Sequence, residues 1–135
     1  MTSFETDQDG GHSDPLERLQ AYRLGVDAMR DARRDAEALG RDPMTREVGG
    51  QLLRAAGSIA AHIAAGYSRG STADRRDFLE CALGSTRECL VWYETSAHPD
   101  RAPRMDRLVS IRRLLLAMIR TAREGVHADG RRVTG

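Results

Sequence analysis

Residues 52–93 read LLRAAGSIAAHIAAGYSRGSTADRRDFLECALGSTRECLVWY. Two apolar runs at three- and four-residue spacing flank a short break at Tyr67-Ser68-Arg69-Gly70. That spacing marks helices that turn one face to a core. The first run aligns Val48, Leu52, Ala56, Ile59 and Ile63. The second carries two seams, one of Phe78, Ala82, Ser85, Cys89 and Trp92, the other of Leu79, Leu83, Thr86, Leu90 and Tyr93. A helix that is apolar on two sides is buried on two sides. One side is expected to face the core, and Leu79, Leu83, Leu90 and Tyr93 are expected to face a second copy of the chain.

The first of these helices is expected over about 43–65, opened by Asp42-Pro43 and closed by Gly66. Its glycines each cost roughly 1 kcal/mol relative to Ala, and Gly57 is expected at a tight helix crossing. The second is expected from about 72 to 97, capped by Ser71 or Thr72 and stopped by His98-Pro99. A preceding helix over about 15–39 starts at Asp14-Pro15-Leu16-Glu17, with a seam of Leu19, Tyr22, Val26, Met29 and Ala36 that Arg33 interrupts, and stops at Gly40. A last helix over about 103–125 has a seam of Leu108, Ile111, Leu115, Met118 and Ala122, widened by Leu114, Leu116 and Ile119. No strand-like alternation appears. The reading is all-α: an antiparallel up-down-up-down four-helix bundle over 14–127. Residues 1–13 read as a disordered acidic tail and 128–135 as a flexible C-terminus.

The 135 residues suit one core, and 4% aromatic content makes that core aliphatic and Ala-rich. All 21 basic residues are Arg. That fits a genome with strong codon bias; it also suits phosphate binding, because the guanidinium fork matches phosphate geometry. The net charge of +1 hides an asymmetry: residues 1–14 hold four acids and no base, while residues 101–135 hold nine Arg against three acids. An anionic partner and an ordinary solvated face both explain the excess. Cys81 and Cys89, about 12 Å apart along one helix, are too far apart for a disulfide between them. Reduced thiols and a cytoplasmic home follow as expectations. No run reaches membrane-spanning length or resembles a signal peptide.

His12, His62, His98 and His127 are scattered, without HExxH or CxxC spacing, so neither a metal nor a cofactor is expected. Ser58 and His62 share a helix face but have no orienting acid in sight, so no catalytic residue is expected and the chain reads as a non-enzyme. Arg54, Ser58 and His62 form a polar line. A hairpin centred near residues 69–70 sets Arg54 opposite Ser85, with Glu88 one turn away. Arg54, Ser58, His62, Ser85 and Glu88 are therefore expected as a polar cluster that fixes register and partner choice; the alternative is a ligand- or partner-facing role. For Arg104, Arg107, Arg112, Arg113, Arg120 and Arg123 the readings are solubility with i, i+4 pairing, or contact with RNA or DNA phosphates.

Two blocks go further. Residues 54–70, RAAGSIAAHIAAGYSRG, and 78–88, FLECALGSTRE, resemble the 23S rRNA intervening-sequence protein family. Its pattern is R-A-x-x-S-I-x-x-N-I-A-E-G-x-x-R-G followed by F-L-x-x-A-x-G-S-x-x-E. Arg54, Ala55, Ser58, Ile59, Ile63, Ala64, Gly66, Arg69 and Gly70 fit the first block; Phe78, Leu79, Ala82, Gly84, Ser85 and Glu88 fit the second. His62 replaces the usual Asn and Ala65 the usual Glu. The resemblance implies a bacterial four-helix bundle, a ring-like homo-oligomer, typically a pentamer, and a largely unassigned role. A related branch, the accessory variability determinant of diversity-generating retroelements, binds nucleic acid and a reverse transcriptase. An oligomeric scaffold or adaptor for a protein partner, with no membrane, is the expected function; a nucleic-acid-binding accessory to a reverse transcriptase is the alternative.

Overall fold

The computed structural model describes residues 14–134, with side chains through Val126. A 3-10 turn, Pro15–Arg18, precedes four helices: α1 (Gln20–Gly40), α2 (Arg46–Tyr67), α3 (Thr72–Ser96) and α4 (Arg101–Thr134). No strand occurs among the described residues. Each helix runs antiparallel to its neighbours. Gly25 lies against Ile59 and Ala60, while Gly49 lies against Ala36 and Leu39. Ser58 meets Ser85, Glu80 meets Arg123, and Asp35 meets Arg104.

The core is aliphatic. Leu52, Ile59, Ile63, Leu108, Ile111 and Leu115 are its largest sealed side chains. On α1 the buried stripe is Ala21, Gly25, Ala28, Ala32 and Leu39, joined by Asp31 and Asp35. The expected stripe was displaced toward the outside: Tyr22 and Val26 are half-buried and Met29 is 37% exposed. Small residues win the core face because they let α1 approach α2 closely. A Cβ on Gly25 would sit 3.3 Å from the Ile59 side chain, and one on Gly49 only 3.0 Å from the Ala36 carbonyl oxygen.

Several boundaries differ from expectation, each for a local reason. The Asp14 carboxylate accepts from the Leu16 N–H at 3.0 Å and caps the 3-10 turn, and an extended Leu19 delays α1 to Gln20. Asp42 likewise accepts from Met44 N–H at 3.0 Å, and the Thr45 hydroxyl donates to the Leu39 carbonyl at 2.6 Å. These bonds hold a turn, so α2 starts at Arg46 rather than Pro43. Gly66 does not stop α2. It is buried within the helix, where an added Cβ would sit 2.9 Å from the Phe78 Cβ. Gly57, expected at the tight crossing, meets only the end of Met29 at 3.8 Å. Ser71 caps α3 by accepting from Asp74 N–H at 3.3 Å. α4 passes its expected end near 125 and remains helical to Thr134; the expected acidic tail, 1–13, lies outside the described residues.

The face assigned to a second copy needs correction. Leu79, Leu83 and Tyr93 are 3%, 8% and 2% exposed within the single chain, and Leu90 is half-buried against the core. α3 packs on both α2 and α4, so its two apolar seams answer two neighbours of the same chain. On α3 and α4 the large apolar side chains left open are Val91, at 56% exposure, and Leu116, at 43%.

The glycines give a direct test. Gly66→Val should cost about 1–3 kcal/mol through overpacking against Phe78. Gly50→Ala, where an added Cβ meets nothing within 4 Å, should stabilise the chain by roughly 0.5–1 kcal/mol. Urea unfolding of both variants checks the sign and the order.

Candidate functional site

Two polar clusters organise the bundle. The first lies where α2 meets α3. Ser58 and Ser85 share a hydroxyl hydrogen bond of 2.6 Å, and Arg54 donates to Glu88 at 3.1 Å and to Gln51. Trp92 Nε1 also donates to Glu88, at 3.3 Å. These pairs sit further along α3 than the count from residues 69–70 places them, so Ser85 faces Ser58 rather than Arg54. The cause is geometric. Side chains lean toward the N-terminus of their own helix, so antiparallel partners meet with a stagger. Near the loop, the Arg69 guanidinium lies 4.7 Å over the Phe78 ring.

His62 belongs to this face without acting on Ser58. Its Nδ1 bonds the Ser58 backbone carbonyl at 2.7 Å, and its ring lies 6.2 Å from Phe78. The Ser58 hydroxyl instead contacts Ser85 and the Ala55 carbonyl, the latter at 2.9 Å. No cluster of three or more metal-ligating side chains occurs among the described residues.

The second cluster was not anticipated. Asp35, 2% exposed, accepts from the Tyr93 hydroxyl at 2.5 Å and from Arg104 through Nε at 2.8 Å and a second nitrogen at 3.2 Å. His98 Nε2 lies 3.4 Å from the same carboxylate. Asp31 pairs with Arg104 at 3.6 Å and with Arg107. The loop after α3 delivers His98. Ala97 adopts a left-handed φ of 59°, Ser96 accepts from His98 N–H at 3.0 Å, and His98 Nδ1 accepts from Asp100 N–H at 3.1 Å. With Nδ1 accepting, the ring proton sits on Nε2, facing Asp35.

Burial alone would push the Asp35 carboxyl up. The bonds from Arg104 and Tyr93, with the charge of Arg104 and the facing His98 ring, outweigh it and hold the carboxyl below its ordinary value of 3.8. The Tyr93 hydroxyl is driven up by burial and then by Asp35, and Arg104 is driven up chiefly by its bond to Asp35. Cys81 and Cys89 are both free; burial, then Glu88, pushes the Cys89 thiol up to about 12. One signal for this network was present in the sequence: Asp31 and Asp35 fall in phase with Ala28 and Ala32, on the core side of α1.

The six arginines proposed for nucleic-acid contact divide. Arg104 and Arg107 are committed to Asp31 and Asp35, and Arg123 pairs with Glu80 at 2.8 Å. Arg112, Arg113 and Arg120 have no carboxylate partner among the described residues; Arg113 and Arg120 are exposed and Arg112 is half-buried. Arg112 edges a shallow groove of about 340 Å³ between α3 and α4, lined also by Leu90, Val91, Glu94, Met105 and Val109. A second groove, of about 460 Å³, lies toward the other end of the same helix pair, lined by Thr72, Arg75, Leu79, Met118, Ala122 and neighbours.

Four antiparallel helices around an aliphatic core define a four-helix-bundle protein. Its hairpin carries Ser58–Ser85 and Arg54–Glu88 at the positions of the recurrent pattern. The sequence model of the 23S rRNA-intervening sequence protein family matches residues 17–103, and the chain belongs to that family. No curated protein matches the chain. Among the described residues, no helix is long and apolar enough to cross a membrane.

The buried network and the exposed pair should respond differently. Asp35→Asn leaves Arg104 poorly compensated and should cost about 3–5 kcal/mol. Arg54→Ala, at an exposed pair, should cost no more than about 1 kcal/mol. The folded pKa of Asp35 is depressed, so its contribution is whole above 3.8 and is lost as pH falls through the lower folded value. The gap between the parent chain and Asp35→Asn should therefore shrink in acid, as read by denaturant unfolding across pH.

Proposed function

We propose that the chain is a non-enzymatic, self-associating scaffold or adaptor of the cytoplasm. The observation that carries this reading is the open α3–α4 groove, where Val91 stands 56% exposed beside Leu90, Met105 and Val109. Burying such a surface releases about 25 cal/mol per Å² of apolar area. Glu94 and Arg112 edge the same groove, so it offers a neighbouring copy charges of both signs around an apolar centre. The family resemblance implies a closed ring, typically of five. The assembled faces would then present a partner protein with a repeated surface.

Light scattering on the eluting species tests the premise. The parent chain should run well above 14.9 kDa, and Val91→Glu should shift it toward the single chain while circular dichroism stays helical. A parent that remains a monomer at micromolar concentration overturns the reading.

A second reading has its own observation. Arg112, Arg113 and Arg120 are left without carboxylate partners among the described residues, so they are available to phosphates. A nucleic-acid-binding accessory, working beside a reverse transcriptase, would use them. Replacing all three by Ala should abolish a salt-sensitive gel shift with RNA or DNA. Arg123→Ala should change it little, because Arg123 is already paired with Glu80. No shift by the parent chain at low salt ends this reading.

A further inference from the structure

As a sequence, α1 is neutral: Arg23, Arg30, Arg33 and Arg34 are matched by Asp27, Asp31, Asp35 and Glu37. The fold undoes that balance. Asp31 and Asp35 are buried and turned to Arg104 and Arg107 on α4. The four arginines of α1 stay exposed on its outer side, where only Asp27 and Glu37 oppose them.

Arg30, Arg33, Arg34 and Glu37 line one recess of about 280 Å³. Their spacing of i, i+3, i+4 and i+7 sets them on one helix face. Arg30 and Glu37 mark its two ends, about 10 Å apart along the axis, and Arg33 and Arg34 stand between them. Arg30 reaches Asp27 at 3.6 Å, in an exposed pair. Arg33, Arg34 and Glu37 form no hydrogen bond or ion pair among the described residues. Asp31 stands three residues before Arg34, where it could have paired along the helix, but α4 holds it instead. Like charges at i, i+3 and i, i+4 destabilise a helix, so Arg30, Arg33 and Arg34 are left in mutual repulsion that a bound anion relieves.

The residue types narrow the ligand. A guanidinium fork matches the oxygens of a phosphate and bonds them with charge assistance. The Glu37 carboxylate only accepts, so the far end of the recess repels a second anion and suits a hydroxyl donor. Sites for drug-sized ligands run from about 300 to 1,000 Å³, and this recess lies at the small end of that range.

We propose that the outer face of α1 binds a small hydroxylated phosphate monoester, its phosphate held by Arg30, Arg33 and Arg34 and its hydroxyl donating to Glu37. The dianion supplies the negative charge that Asp31 and Asp35 carry away to α4. The site is separate from the α3–α4 grooves and from Arg112, Arg113 and Arg120.

Glycerol 3-phosphate and inorganic phosphate, titrated into the isotope-labelled full chain at low ionic strength, test the site. The backbone amides of residues 30–37 should shift saturably, and glycerol 3-phosphate should bind the more tightly. Arg33→Gln combined with Arg34→Gln should weaken both probes about tenfold or more. Glu37→Ala should abolish the preference for glycerol 3-phosphate while inorganic phosphate still binds. All three positions are exposed, so circular dichroism should remain helical. Replacing Arg112, Arg113 and Arg120 by Ala should leave the α1 shifts as they are. Shifts that never saturate, shifts that survive the double substitution, or equal affinity for the two probes overturn the proposal. A single-stranded oligonucleotide that saturates the same amides at lower concentration than glycerol 3-phosphate would assign this face to a polymer, which also overturns it.

Discussion

Asp35 gathers contacts from three directions at one end of the bundle. Tyr93 reaches it from α3, His98 from the following loop, and Arg104 from the first turns of α4. α1 and α4 are the first and last rods, and no short loop joins them. What fixes one against the other is this carboxylate, with Asp31 and Arg107 beside it. A buried ion pair gains little over an apolar contact in net free energy. It does, however, tolerate less sliding. Moving α4 by one residue would rotate Arg104 and Arg107 by about 100° and break every bond at once.

That constraint explains the rest of the packing. Ala and Gly on α1 let α2 sit close, and Gly25 against Ile59 with Gly49 against Ala36 set that seam. α3 then lies between α2 and α4 and uses both its apolar seams inside the chain. On α3 and α4 the large apolar side chains left on the outside are Val91 and Leu116. Docking of copies through the α3–α4 face would start from Val91 and Leu116 rather than from Leu79 or Tyr93.

Much of this was legible in the sequence. The α2 stripe Leu52, Ala56, Ile59 and Ile63 and the α4 stripe Leu108, Ile111 and Leu115 are large aliphatics at regular spacing, and they lie in the core. α1 was misread because its core stripe is made of Ala, Gly and Asp, while its larger apolar residues lie to one side. Hydrophobic periodicity weighs size, and here close approach mattered more than size. The proline-based starts at Pro15 and Pro43 misled for a related reason. Asp14 and Asp42 satisfy a turn as readily as a helix, and local hydrogen bonds chose the turn. The Arg54–Glu88 pair was visible because both residues stand on one hairpin of short loop length. The Asp35–Arg104 pair joins residues 69 positions apart, and no local spacing rule reaches that far.

The residues of the recurrent hairpin pattern have an internal use. Gly66 admits Phe78, Ser58 meets Ser85, Arg54 holds Glu88, and Arg69 covers the Phe78 ring. Each of these contacts joins α2 to α3, or the loop to α3, and each is satisfied within one chain. Groups already satisfied have little left to offer a partner, because breaking an internal bond must be repaid by the new one. The unpaired arginines and most of the exposed apolar side chains of the α3–α4 face stand outside that pattern, and Arg112, Arg113, Arg120 and Leu116 lie beyond residue 103, where the family match ends. The matched hairpin thus accounts for how this chain holds α2 against α3, while its unpaired arginines and open apolar side chains on this face stand on α4 and the outer edge of α3.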